Sequence, residues 1–589
     1  MRRGAIAVLG TVLIGLLTGC SGLSTDTAVQ EGLAVSAANP PRIGYVPPPP
    51  GADATPERLV RGFIRAGSAS DGDYEVARLF LTDRAAGVWK PDGEVTVFRT
   101  VTSPKVTPLA QSRWRLTVAT AATITADGRY RPAAPGATKS VDFGLVKVDG
   151  QWRIDTLPTT FARWIETSDV GRLFRSYPVD YFSAVDDSLV PDVRFFPDDH
   201  LPTRVAAAQV AAVPAYLNGA VVTGFPPDAR LRVGSVPVVD GVATVDLSGS
   251  FGGDSKARRA VWVQLAASLT QLPEVASVMV QVDGSVFDFA GRIGGASSTL
   301  ADLGAGGDRA PAGLPVVRTG ATLRHVDPTS GNGFGKDPKG NDPKSPFPAI
   351  AQEWRDLAVS RDLAEVAGVD AARSNVSRWL GDHRYEVPLA GSAVGKPAYD
   401  VRGWLWIPAV GARQADRLWA VDSSSDPANT SLAKAQAVSA AWLTDRIVRS
   451  VRLPLDGQRV AVLSTDAGGG DARLDVAGVI RDDKDRPTGL SAPLRLAPNL
   501  TNAIDVTWIG ETDLAAVGVG AGAAGLSPVI VGLSGDVEVQ SAVKSAASIG
   551  SAGGVRDLIV TTSDGRILSR AGTSWVELGK GTDFAEPAG

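Results

Sequence analysis

Apolar residues follow four regimes along this chain, and each regime predicts a different kind of element. The first is an unbroken apolar run from Ala5 to Leu17, preceded by Arg2 and Arg3 and followed by Thr18, Gly19 and Cys20. A membrane-spanning helix needs about 20 apolar residues, so this run predicts a secretory signal peptide over residues 1–19. The second regime has helical spacing. Thr55-Pro56 reads as an N-cap with proline at the first helical position. Leu59, Val60, Phe63 and Ile64 then share one face, and Gly67 is a stop. A second helix is predicted around Tyr74–Phe80. The third regime has period two. Trp114, Leu116 and Val118 alternate with Arg113, Arg115 and Thr117, and Val141, Phe143 and Leu145 alternate with Asp142 and Gly144. Asp149-Gly150 is a two-residue hairpin signal, with Trp152 and Ile154 on the return strand. Helices followed by an antiparallel sheet predict an α+β domain over 52–185.

Helix and strand patterns then alternate over 190–290. Val193–Phe196 predicts a strand, Thr203–Leu217 an alanine-rich helix, and Val238-Val239 a strand that turns at Asp240-Gly241 into Ala243, Val245 and Leu247. A helix over Asp254–Leu272 carries Val261, Leu265, Leu269 and Leu272 on one face, with Pro273 as its stop. Val278–Val282 closes a small α/β domain. The fourth regime covers 315–589. Short apolar strands at Leu357–Val369, Arg417–Val421, Arg459–Leu463, Leu514–Val519 and Leu558–Thr562 recur at intervals of roughly 45 to 50 residues, the size of one four-stranded propeller blade. Turns such as Asp456-Gly457, Ser534-Gly535 and Asp564-Gly565 flank them. About five blades are visible, and Val316, Val317 and Ala321–Leu323 are candidates for a closing strand. The fold class is therefore multi-domain: α+β, then small α/β, then an all-β propeller.

Composition narrows the chemistry. The 589-residue chain is 44% hydrophobic with a formal net charge of −4. It has no basic surplus of the kind nucleic-acid binding requires. Residues 20–51 are rich in Ser, Ala, Gly and Pro and end in Pro47–Pro50, which predicts a disordered, stiffened tether. Histidines number three, His200, His325 and His383, with no metal-ligand spacing among them. Cys20 is the single cysteine. If it is acylated, neither a disulfide nor a Cys-ligated metal is possible. Catalytic residues, cofactor-binding residues and metal ligands are each predicted to be none. The Gly331–Lys336 stretch lacks P-loop spacing. Gly520–Gly525 matches G-x-G-x-x-G but is followed by the strand Pro528–Val531, so it predicts a hairpin loop. Asp186-Asp187, Asp198-Asp199 and Asp482-Asp483 read as solvated loop charge, because neighbours on an extended chain face opposite ways.

The element order of 52–185, with its Gly150–Ile154 return strand, is similar to an NTF2-like cone, and two stretches carry further family resemblances. Leu17-Thr18-Gly19-Cys20 resembles a bacterial lipobox, which implies that Cys20 becomes the mature N-terminus, bearing S-diacylglycerol and an N-acyl chain such as palmitate. Asp240–Leu247 and Gln264–Asp283 resemble the GerMN module, first recognised in a spore-germination lipoprotein and known as an interaction scaffold without catalytic residues. Signal, lipobox, tether, α+β domain, GerMN module and propeller in this order resemble the LpqB family of actinobacterial lipoproteins. That resemblance implies an accessory role beside the MtrA–MtrB two-component system, affecting cell envelope and division. The expected location is the outer face of the cell membrane, held by lipid, and the expected partner is the extracytoplasmic domain of the sensor kinase MtrB. The alternative is an envelope protein whose propeller binds or hydrolyses a glycan or peptide. Aromatic residues and several aspartates at one propeller mouth would mark it, with Trp404, Trp406 and Trp419 as aromatic candidates, although Trp404 and Trp406 have blade-packing spacing.

Overall fold

Thr55 caps the first helix as its sequence predicts: the side chain accepts from the Arg58 N–H at 3.3 Å, Pro56 opens helix α1 (Pro56–Ala66), and Gly67 ends it. Leu59, Val60, Phe63 and Ile64 are buried. A computed structural model describes residues 47–589 except 70, 101–103, 291–295, 306–312, 329–344, 346, 521–522, 524 and 588–589. The expected signal peptide, the lipobox and all but the end of the tether lie outside the described residues, as does the whole Gly331–Lys336 stretch. Two further helices follow, α2 (Asp71–Arg78) and α3 (Asp83–Val88), the latter capped by Thr82. Neither pattern nor length made α3 visible in the sequence.

The first sheet has the order 151–156, 138–148, 113–124, 95–98, 163–166, with 105–110 and 130–132 added along 113–124. Its alternation fixes the buried side. Leu116, Val118, Val141, Phe143 and Leu145 face the helices in one apolar cluster with Leu59, Phe63, Phe80 and Trp89. Asp149 and Gly150 both take left-handed φ, 47° and 79°, as a two-residue hairpin loop of the expected kind demands. Helix α4 (Thr167–Leu173) then leads into a long hairpin, Phe174–Ser183 paired with Leu189–Pro197. That hairpin bridges the interval between the first two expected domains.

Next comes α5 (Leu201–Val210), with a 3-10 turn at Ala215–Leu217. The single helix expected over 203–217 is corrected here. Pro214 has no N–H to donate, and the chain becomes extended at Ala211. Val242–Ser248 pairs in parallel with Ser277–Val282, and the crossover between them is α6 (Ser255–Leu269), capped by Asp254. Three buried polar side chains staple both helices to the hairpin. Gln209 and Gln264 donate to the Asp180 carbonyl at 2.9 and 2.8 Å, and Ser268 donates to Gln209 at 2.5 Å.

The described residues from Val316 onward form a ring of sheets. Blades 1 to 5 begin with inner strands Trp354–Val359, Ala398–Tyr399, Ile447–Arg452, Thr501–Trp508 and Ala546–Ser551. Each blade continues outward through antiparallel strands. The expected strand Leu357–Val369 is two strands, Trp354–Val359 and Glu365–Asp370, divided by the turn at Arg361-Asp362. A sixth sheet is composite. Val316–Thr319 pairs with Thr322–His325 on one side and with the C-terminal strand Thr582–Ala585 on the other. The candidate closing strand thus belongs to a sixth blade whose inner strand comes from the far end of the chain. Gly520 follows the strand Asp513–Val519, which pairs antiparallel with Ser527–Gly532 in blade 4; Ala521, Gly522 and Ala524 lie outside the described residues. Trp404, Trp406 and Trp419 are buried in blade 2. The Trp406 indole donates to Asp400 at 3.0 Å.

A hydrogen-bonded thread joins the three parts. Arg194, fully buried, donates to the Asp127 carbonyl at 2.9 Å in the first domain and to Asp192 at 2.6 Å. Asp192 accepts from the Tyr216 hydroxyl at 2.8 Å. The Tyr216 carbonyl accepts from Ser491, which in turn accepts from the Gly478 N–H of blade 3 at 2.8 Å. A Cβ at Gly478 would lie 2.6 Å from the Ala220 Cβ. Only glycine allows so close an approach of the two backbones.

Candidate functional site

The inner strands run in one direction round the axis, and charged side chains fill the middle. Lys396, just before the inner strand of blade 2, donates to Asp505 of blade 4 at 2.8 Å. Asp505 also accepts from the Ile549 N–H at 3.2 Å and lies 3.8 Å from Arg452. Further along, Glu586 accepts from the Thr507 hydroxyl and the Ser551 N–H. Burial pushes the Glu586 carboxyl above its ordinary range, opposed by the charges of Arg452 and Lys396. Charges removed from water must be paired or hydrogen-bonded. Alternating signs along the axis meet that requirement, and they join blades 2, 3, 4 and the C-terminal segment.

At the end where the inner strands begin, the axis opens into a cavity of about 440 Å³. Its walls are made by irregularities in the ladders. Register slips occur between Arg355 and Ala358 in blade 1, Val448 and Ser450 in blade 3, Thr501 and Asp505 in blade 4, and Ala546 and Ser548 in blade 5. A bulge leaves its extra residue unpaired and re-aims the side chain. The residues released here, including Asp356, Arg449, Asn502, Ile504 and Ala547, line the cavity. Asp356 and Asn502 take left-handed φ of 51° and 48°, a region these short polar residues tolerate best after glycine. The wide slip in blade 4 fits because residue 518 is glycine: a Cβ there would lie 2.8 Å from Leu500 Cδ1 and 3.1 Å from the Ala503 Cα. The described lining comes from the propeller alone.

The sequence-predicted site, Cys20 with Leu17, Thr18 and Gly19, lies outside the described residues. The aspartate pairs do sit in loops, but solvation alone is not their state. Asp186 pairs with Arg402 of blade 2 at 2.5 Å, Asp187 with Lys256 at 3.0 Å, Asp199 with Arg204 at 2.9 Å and Asp482 with Arg486 at 2.7 Å. Burial pushes the Asp186 carboxyl up, yet hydrogen bonds from Ser188 and Arg402, with the guanidinium charge, bring it down to about 2. His200 precedes α5, His325 ends a strand of the composite blade and His383 begins the outer strand of blade 1. Among the described residues, no group of three or more His, Cys, Asp or Glu side chains is placed to hold a metal ion. No described helix is long and apolar enough to cross a membrane. Sequence reasoning missed the bulge-built mouth. Its only signal was the Asp and Asn residues at the starts of inner strands, which cannot be recognised as such without knowing their partners.

Three family descriptions match consecutive parts of the chain: "Lipoprotein LpqB, N-terminal domain" over 49–171, "Sporulation and spore germination" over 179–288, and "Lipoprotein LpqB beta-propeller domain" over 342–588. The first gives no support to an NTF2-like assignment. A Lipoprotein LpqB from Thermobifida fusca is 28% identical over 576 residues, covering 88% of each chain. One from Cutibacterium acnes is 30% identical over 289 residues, covering 49% of this chain and 48% of its own. Among solved structures, TolB from Acinetobacter baumannii aligns with a TM-score of 0.32 at 16% identity, covering 47% of this chain and 66% of that one. With a family domain matched in each of its three folded parts and a Lipoprotein LpqB aligned over 88% of its length, the chain belongs to the LpqB family of actinobacterial lipoproteins.

Proposed function

We propose that this protein is a membrane-anchored accessory of a two-component sensor kinase, MtrB of an MtrA–MtrB system, and that it works by binding the kinase's extracytoplasmic domain, without catalysis of its own. The observation that carries this reading is the thread from Asp127 through Arg194, Asp192, Tyr216 and Ser491 to Gly478. It makes the N-terminal, spore-germination-type and propeller domains one body, suited to presenting a fixed surface. An anchor at Cys20 confines that body to the outer face of the cell membrane. Confinement in two dimensions raises its effective concentration beside membrane receptors, so modest intrinsic affinity suffices. The test is binding of the purified protein to the kinase's outer domain, together with response-regulator phosphorylation in a deletion strain. Saturable binding with altered phosphorylation supports the proposal. Absence of both at high micromolar concentrations refutes it.

A second reading, an envelope glycan- or peptide-binding protein, is favoured by one observation: the cavity at the propeller mouth. Asp356 and Asp505 line it, but Trp404, Trp406 and Trp419 do not. The aromatic half of the expected signature is therefore missing from that mouth.

A further inference from the structure

We infer that the bulge-built mouth of the propeller is a binding site for a small solute bearing one oxyanion, a carboxylate or a phosphate, with Arg449 as its anchor. Its volume of about 440 Å³ lies within the range of small-molecule sites, about 300–1,000 Å³. Three cations line it, and two already have partners. Arg373 pairs with Asp356 at 2.7 Å, and Lys396 with Asp505 at 2.8 Å. Arg449 is different. Its Nε donates to Thr465 at 3.0 Å, and among the described residues no carboxylate lies within ion-pair distance of it. The bulge between Val448 and Ser450 takes Arg449 out of the ladder, so the guanidinium is held over the mouth with its terminal nitrogens available. A planar guanidinium of this kind suits two-point recognition of carboxylate or phosphate oxygens.

Two further groups point to a ligand. Ser450 lines the cavity, is 1% exposed, and its hydroxyl has no hydrogen-bond partner. A buried hydroxyl without a partner carries a free-energy cost, which a ligand's acceptor or donor would remove. Asn502, released by the blade 4 bulge, offers an amide, and Ile504 beside it is 41% exposed. The site thus presents a cation for one charged group and polar and apolar surface for the rest of a small molecule. Asp356 and Asp505 line the same cavity and disfavour solutes with several anionic groups. This inference does not depend on the kinase contact.

The test uses the full-length protein in detergent, with calorimetric titration of three probes: N-acetylmuramate, inorganic phosphate, and N-acetylglucosamine as the neutral control. N-acetylmuramate differs from the neutral sugar by an O-lactyl group that carries the carboxylate, so the first and third probes compare an anionic with a neutral sugar, and phosphate separates the two oxyanion sources. At least one anion should bind saturably and the neutral sugar should not. Arg449→Gln should weaken anion binding by about tenfold or more, the loss of one charge-assisted pair, with the unfolding temperature unchanged because the side chain is exposed. The inference is overturned if neither anion binds below about 10 mM, if the neutral sugar binds equally well, or if Arg449→Gln binds like the parent.

Discussion

Replacing Arg459 with methionine should loosen the seam between the propeller and the preceding domain, by an amount that can be worked out in advance. Arg459 and Asp456 are both buried, with Nε to Oδ2 at 2.8 Å. The same guanidinium donates to the Pro191 carbonyl of the long hairpin at 3.0 Å and to the Glu511 carbonyl of blade 4 at 2.6 Å. Arg459→Met leaves the Asp456 carboxylate buried with only the Gln458 N–H, at 2.7 Å, still donating to it. Stranding one partner of a buried pair costs about 3–5 kcal/mol. Adding Asp456→Leu removes the stranded charge and newly unpairs only the Gln458 N–H, which costs about 1–3 kcal/mol. The double variant should therefore be more stable than the single one, by about 2 kcal/mol. Urea unfolding followed by tryptophan fluorescence gives the stabilities, and the protease-cleavage rate in loop 184–188 reports on the seam itself. A loss below about 1 kcal/mol for Arg459→Met, or a double variant as unstable as the single, would refute the reasoning.

Other outcomes follow from single positions. With Cys20 proposed as the anchor, Cys20→Ser should leave the precursor uncleaved or release the protein from membranes; fractionation after a salt wash checks it. Gly550→Ala should prevent blade 6 from seating, because the new Cβ would lie 1.8 Å from Phe584 Cε1; overpacking typically costs about 1–3 kcal/mol and this contact is at the severe end, readable as a lower urea midpoint. Acid should weaken the Asp186–Arg402 contact. The Asp186 carboxyl is lowered from 3.8 to about 2 in the fold, so its contribution is full above pH 3.8 and is lost as pH falls through about 2. With that side chain 47% exposed, the effect after solvent screening is under about 1 kcal/mol. An acid titration of Asp186→Asn should lack that segment.

Much of the architecture was legible because periodicity reports burial. The alternation at Trp114–Val118 and Val141–Leu145, the cap at Thr55 and the turn at Asp149-Gly150 are local signals, and they fold as local rules require. What was not legible depends on partners distant in sequence. Leu357–Val369 looked like one strand because both of its halves are buried on both faces, as inner propeller strands are. The bulges at Arg449 and Asn502 exist only relative to a neighbouring strand, and Asp186 finds Arg402 more than two hundred residues away. Helix α3 is a six-residue segment, too short for a hydrophobic period to develop.

The composite blade has a consequence for how the protein is made. The ring is sealed by pairing Val316–Thr319 with Thr582–Ala585, and everything between those strands must be produced before the seal can form. A variant that lacks Thr582–Ala585 keeps an open ring in which Val316–Thr319 presents an unpaired edge. Such edges recruit other strands. Closure of the ring therefore depends on Thr582–Ala585, a strand more than two hundred residues from its partner, and a chain without it is left with edges prone to association.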